Sequence, residues 1–196
     1  MTQATHAATI ARSRAVKRTI PAVNESAIVT SASGRRTLAV LRIATGFIFL
    51  WAFLDKTFGL GYSTTRAQAW INGGTPSQGF LKSPAVVGPF KPFFAAIASP
   101  TTDVLFMLGM LAVGLAVILG IGLRISAIAG TIILLFMYVA EWSFGPNAAS
   151  TNPVVDYHII FALSLIVVAV LLAGDAWGLG RSWKRLNIVQ NHRWLI

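Results

Sequence analysis

The sequence predicts an all-α fold: an integral membrane four-helix bundle with both termini cytoplasmic and a long outer loop after its first helix. Three observations predict it. Hydrophobic residues make up 55% of the 196-residue chain and charged residues only 11%, less than half of the ~25% usual in soluble domains. Four apolar blocks stand out, at residues 38–60, 104–121, 125–140 and 154–173. The cations, finally, are distributed unevenly around those blocks.

A bilayer core of about 30 Å takes about 20 helical residues. The first, second and fourth blocks fit directly, and the third does so once Ser126 and the flanking Trp142 are included. The first predicts a helix running outward from about Arg36 to residues 58–61. The loop over 61–100 carries Pro76, Pro84, Pro89, Pro92 and Pro100, yet it keeps Trp70, Phe80, Val86, Phe93 and Phe94. It is too apolar for a free linker, and backbone at membrane depth must be covered by protein or face water. It is therefore expected to cap the outer mouth, with 93–98 as a short interfacial helix.

Thr101 or Thr102 is the expected cap of the second helix, with Asp103 facing the positive end of its dipole. The turn Gly-Ile-Gly-Leu-Arg at 120–124 allows only an antiparallel hairpin. The third helix exits at Glu141 and Trp142, into a polar outer loop over 143–152. Asn152 followed by Pro153 reads as a cap with proline at the first helical position, and the fourth helix runs inward to Gly174. Trp177 and Trp183 are the interface anchors on that side.

Of sixteen Lys and Arg, twelve lie at the termini, at Arg42 or in the 120–124 turn, and only Lys56, Arg66, Lys82 and Lys91 lie on the other side. The positive-inside rule then places both termini inside, in a bacterial-type plasma membrane. Anionic lipid headgroups account for the net charge of +10. Nucleic acid is excluded as a partner, because no folded module is left to bind it. The absence of cysteine excludes thiolate chemistry and thiolate-held metal within this chain. Residues 1–36 lack the apolar core of a signal peptide and read as a disordered basic tail. Residues 37–180 form the membrane domain, and 181–196 are a second basic tail.

Ionisable residues gather at the outer helix ends: Asp55 and Lys56 on the first, Glu141 on the third, Asp156 and His158 on the fourth, with Asp103 at the rim. Such charges can simply mark boundaries, but an ionisable group facing lipid is costly, so Asp55 is expected to turn into the bundle. Neighbouring helical residues point about 100° apart. Lys56 therefore looks sideways, with Glu141 or Asp156 as its partner. Asp156 and His158 are two apart, about 200° around a helix, so only one of them can face the axis, and His158 is the expected one. Trp51, Tyr138 and Trp142 add aromatic walls of the kind a flat quinone headgroup would use. The histidine spacing matches no metal motif, so no metal is expected.

The stretches LRIATGFIFLWAFLDKTFG, GLRI and NPVVDYHIIFALSL, together with WINGGTPSQGFL in the outer loop, resemble the DoxX family. That family is related to DoxD, the membrane subunit of thiosulfate:quinone oxidoreductase. The resemblance spans about Thr37 to Arg181 and implies a four-helix membrane protein that passes electrons from a reduced sulfur compound such as thiosulfate to quinone. On that reading His158 and Asp55 exchange protons with the quinone, while Glu141 and Asp156 tune them. Lys56 and Arg66 attract the anionic donor, and a partner subunit or second copy completes the assembly. The alternative is a non-catalytic scaffold that anchors soluble redox or stress-response partners. An ion transporter would place polar residues and broken helices at the midplane, and neither is present.

Overall fold

The computed structural model describes residues 23–144 and 152–196. Most of the polar loop expected over 143–152, and residues 1–22 of the expected tail, lie outside the described residues. Among the described residues the secondary structure is entirely helical: α1 (Glu25–Ile28), α2 (Ala32–Phe58), α3 (Pro76–Leu81), α4 (Lys91–Ile97), α5 (Pro100–Leu119), α6 (Leu123–Glu141), α7 (Tyr157–Val170), α8 (Gly180–Arg185) and α9 (Asn187–Asn191). Helices α2, α5 and α6, of 27, 20 and 19 residues, are long and apolar enough to cross a membrane.

Helix α7 has only 14 residues, fewer than the block at 154–173 suggests, because its cap is Asp156 rather than Asn152. The Asp156 Oδ1 accepts from the amides of His158 and Ile159 at 3.0 and 3.2 Å. The Asn152 Oδ1 instead accepts from Val154 and Val155 in a turn ahead of the helix. At the other end Leu172 takes a left-handed φ of 52° and Ala173 N returns to Val168 O, which stops the helix. The cap of α5 is likewise Ser99, whose hydroxyl accepts from Thr102 N, with Pro100 in the first turn. This corrects the choice between Thr101 and Thr102.

Contacts of α2 with α5, α5 with α6, α6 with α7 and α7 with α2 close a ring. The α2–α5 seam is backbone against backbone. A Cβ on Gly46 would stand 2.8 Å from Ile118 N, and one on Gly114 would stand 2.7 Å from Leu50 N. Pairing of 46 with 118 and of 50 with 114 makes the two helices antiparallel. Phe49, Val113, Val117, Leu134, Leu165 and Ala169 fill the interior. Outward-facing residues such as Leu105, Ile128, Ile132, Leu163 and Val170 are apolar as well. In water such a surface would be an extended sticky patch, whereas lipid tails suit it.

Arg42, expected among the cations of the inner side, is instead fully buried. Its Nη1 donates to Val117 O at 2.8 Å and to Ile118 O, and its Nη2 donates to Ala176 O and Trp177 O at 3.3 and 3.0 Å. The last carbonyls of α5 lie at the negative end of its dipole, and of the two that Arg42 reaches Val117 O also accepts from the capping Gly120 N at 3.1 Å. A guanidinium with five donors is well suited to them.

Beside it, the Asp175 carboxylate accepts from Glu25 N at 2.9 Å, and the Glu25 carboxylate accepts from Ala176 N at 2.9 Å. Lys184 Nζ lies 2.8 Å from Asp175 and donates to Val23 O. Residues 23–36, expected as part of a disordered tail, are thus ordered: Val23 and Glu25 are fastened to 175–184, and 32–36 open α2. The last residues also fold back, through α8, α9 and a 3₁₀ turn at Arg193–Leu195.

Replacing Arg42 with Met should destabilise the fold by about 3 kcal/mol, because four carbonyls lose a charged donor in one step. Arg42→Lys should fall between, since three donors cannot serve four acceptors. Denaturant unfolding in detergent measures both. The Glu25 carboxyl is raised above its ordinary 4.5, chiefly by burial and further by the Asp175 charge, against the Ala176 hydrogen bond that lowers it. A raised acid pKa stabilises docking most below the unfolded value, and the contribution is lost as pH climbs through the folded one. Protease cleavage between residues 23 and 31 should therefore quicken from mildly acidic to alkaline buffer, and Glu25→Gln should flatten that dependence.

Candidate functional site

Helix α2 ends at Gly59 with a left-handed φ of 65°, and the chain turns back over the helix end. Two amides of that returning loop meet Asp55. Tyr62 N donates to Oδ1 at 3.2 Å, while Ser63 N and Oγ donate to Oδ2 at 2.9 and 2.6 Å. Lys56 Nζ donates to the same Ser63 Oγ at 3.2 Å. Asp55 is buried as expected, but toward its own loop. No hydrogen bond or ion pair joins it to His158 among the described residues, and none joins Lys56 to Glu141 or Asp156.

Asp103 fastens the next part of the loop. Its carboxylate accepts from Ser77 N, Ser77 Oγ and Gln78 N at 2.8, 2.7 and 3.0 Å, and from Gln78 Nε2 at 2.5 Å. Those amides are in the first turn of α3, so an anion from α5 caps that helix.

The second corner joins α6 and α7. Because Asp156 precedes α7 rather than lying in it, the 200° argument does not hold, and both Asp156 and His158 are buried. Asp156 Oδ2 sits 2.7 Å from His158 Nδ1. Glu141, the last residue of α6, accepts from the Tyr157 hydroxyl at 3.2 and 3.3 Å. A His158 ring nitrogen and one oxygen each from Glu141 and Asp156 lie within 4.8 Å of one another. This donor set could hold a metal, contrary to the expectation from spacing.

The six carboxylates of the chain divide sharply. Glu25, Asp55, Asp103, Asp156 and Asp175 each accept from backbone amides. Glu141 alone is held only by a side chain, among the described residues.

Between the returning loop and the outer faces of α5 and α6 lies a cleft of about 870 Å³. One wall is apolar, with Leu105 and Phe106 from α5 and Ile133, Phe136 and Met137 from α6. The loop side carries Ser63, Thr64, Gln68, Asn72 and Ser77 together with apolar Phe80, Leu81, Phe94 and Ile97, and Lys56 is the one charged lining residue.

Of the other residues expected at the site, Trp51 packs edge-on to Tyr62 at 5.1 Å. The Tyr138 hydroxyl donates to Pro153 O and Val154 O. Trp142 packs against Phe90 and Phe144 at 5.7 and 5.2 Å. Arg66 begins the 3₁₀ turn Arg66–Gln68 and is exposed. None of these four lines the cleft. Sequence reasoning missed Ser63, Ser77 and Gln78 as carboxylate partners. Comparison with protein-family models, with curated proteins and with solved structures gives no match to this chain.

Asp103→Ala should release α3. Amide exchange over residues 76–81 should quicken by at least about tenfold, as expected when a charged cap is lost, while exchange at the α2–α5 seam stays unchanged.

Proposed function

We propose that the chain crosses the membrane four times with both termini inside, and that it is a DoxX/DoxD-like subunit of a quinone-linked oxidoreductase. The cleft carries this reading. A mostly apolar lining with a few polar groups and a single cation suits a molecule with a flat carbonyl-bearing head and a lipid-like tail. Lys56, oriented by Ser63, donates to a quinone carbonyl, where its charge stabilises the electron density that grows on reduction. Phe106 and Phe136 supply aromatic surface for the ring. Electrons come from a reduced sulfur compound such as thiosulfate through a partner subunit, since this chain has no cysteine to relay them.

The residue assignment differs from the one the sequence alone suggested. Asp55 supports Lys56 through Ser63 instead of exchanging protons itself, and His158 does not line the cleft. A second reading, a non-catalytic scaffold for redox or stress-response partners, is favoured by one observation: five of the six carboxylates fasten the fold.

Lipid extracts of the purified protein should contain quinone in about equimolar amount. Lys56→Met should weaken quinone binding by about tenfold or more, the equivalent of one charge-assisted hydrogen bond. Filling the cleft by Ile133→Trp should abolish binding while the protein stays folded. Absence of quinone from the extract, with no titratable binding of a short-chain quinone, would sink the redox reading. Stable soluble partners in native mass spectra would then favour the scaffold.

A further inference from the structure

We infer that the cleft is filled sideways, from the outer leaflet between α5 and α6, by a quinone whose long hydrocarbon tail stays in that side opening. The inference rests on the quinone reading and adds where the tail lies and how the molecule arrives.

The exposed lining residues differ in kind from one side of the cleft to the other. The loop contributes small or polar ones such as Ser63, Gln68, Asn72 and Thr75. Helices α5 and α6 contribute only Leu105, Ile132 and Phe136, which are 66, 51 and 49% exposed. Three large apolar side chains around an opening suit hydrocarbon and not water. Ile132 stands nine residues before Glu141, the last residue of α6, or ~13 Å along the helix at 1.5 Å per residue. Half of a ~30 Å hydrocarbon core is ~15 Å, so the side opening reaches toward the middle of the bilayer, while Lys56 sits at the end of α2.

The other ways out are closed. One turn below Phe106, a Cβ on Gly109 would stand 3.0 Å from Ile133 Cδ1, so Ile133 fills the gap between α5 and α6 there. On the outer side Leu81 and Phe94 of the loop are buried together with Ala140 of α6. Asp103 holds α3 to α5 through Ser77 and Gln78. Lifting the loop would break those hydrogen bonds, whereas entry past Leu105 and Ile132 breaks none. A ring between Phe106 and Phe136, with its carbonyl at Lys56, leaves its tail pointing through the side opening into lipid.

The test uses full-length protein in phosphatidylcholine nanodiscs and three probes: a benzoquinone without a side chain, its decyl derivative, and the decyl derivative with a diazirine at the chain end. Photolysis of the third should label the Leu105 and Ile132 segments of α5 and α6, and excess decyl quinone should remove that label. Leu105→Trp, which adds bulk at the opening, should weaken the decyl quinone by about tenfold or more, as overpacking a fitted site costs. It should leave the tail-less quinone unchanged. If Leu105→Trp does not fold, as judged by melting, the labelling of wild type decides. Displaceable label on α2, α7 or the loop overturns the inference and leaves the quinone reading standing. So does decyl-quinone binding that folded Leu105→Trp does not alter. Label that excess decyl quinone fails to displace is ordinary lipid contact and overturns it as well. Failure of either unlabelled quinone to bind wild type overturns the quinone reading itself, and this inference with it.

Discussion

Backbone amides and carbonyls left unpaired where helices stop must find partners, and in a dry environment water cannot supply them. Charged side chains meet that requirement here. Arg42 gathers carbonyls from the end of α5 and from residues 176–177. Asp55 gathers the amides of Tyr62 and Ser63, and Asp103 those that open α3. Asp156 caps its own helix, while Asp175 and Glu25 exchange amides across the chain's two ends. A charge solvated by backbone dipoles needs no counter-ion beside it. A chain with six acids can therefore use five of them as fasteners, and losing any one leaves backbone amides without that partner.

The same requirement explains what could be read in advance. Helices α2, α5 and α6 were legible because an apolar run bounded by glycine, proline or a capping residue has one low-energy conformation. Burial of Asp55 and its separation from Lys56 followed from helical geometry. The partner of Asp55 did not, because Ser63 lies beyond a left-handed Gly59 whose turn direction no periodicity encodes. Asp103 and Ser77 are 26 residues apart, so only the folded loop brings them together. The reading of Asp156 and His158 failed at one step. It treated Asp156 as helical when its carboxylate gains more by stepping out to cap the helix. Once Asp156 is the cap, the angle between the two residues no longer constrains them, and they become partners.

That one displacement changes where chemistry can occur. Asp156 holds the Nδ1 of His158, while Tyr62 and Ser63 take the Asp55 carboxylate. The pair that looked like a shared proton relay resolves into two separate corners. In one, Ser63 links Asp55 to Lys56 and holds the cation on the cleft. In the other, histidine and two carboxylates from different elements share a small volume.

The two corners are nonetheless built on a common element, the last turn of α6. Met137 and Ala140 face the cleft, while Glu141, about 100° further round, faces Tyr157. The returning loop grips this turn directly. Val87 N donates to Ala140 O at 3.0 Å, and a Cβ on Gly88 would stand 2.3 Å from Trp142 Cγ, so only glycine lets the loop lie flat there. Phe90 packs on the other part of Trp142. The loop that Asp55 and Asp103 pin to α2 and α5 thus also fixes the exit of α6, and with it the position of Glu141. Closing the cleft and placing the one carboxylate that no backbone amide holds among the described residues are consequences of the same loop, which is why it carries apolar residues among so many prolines and glycines.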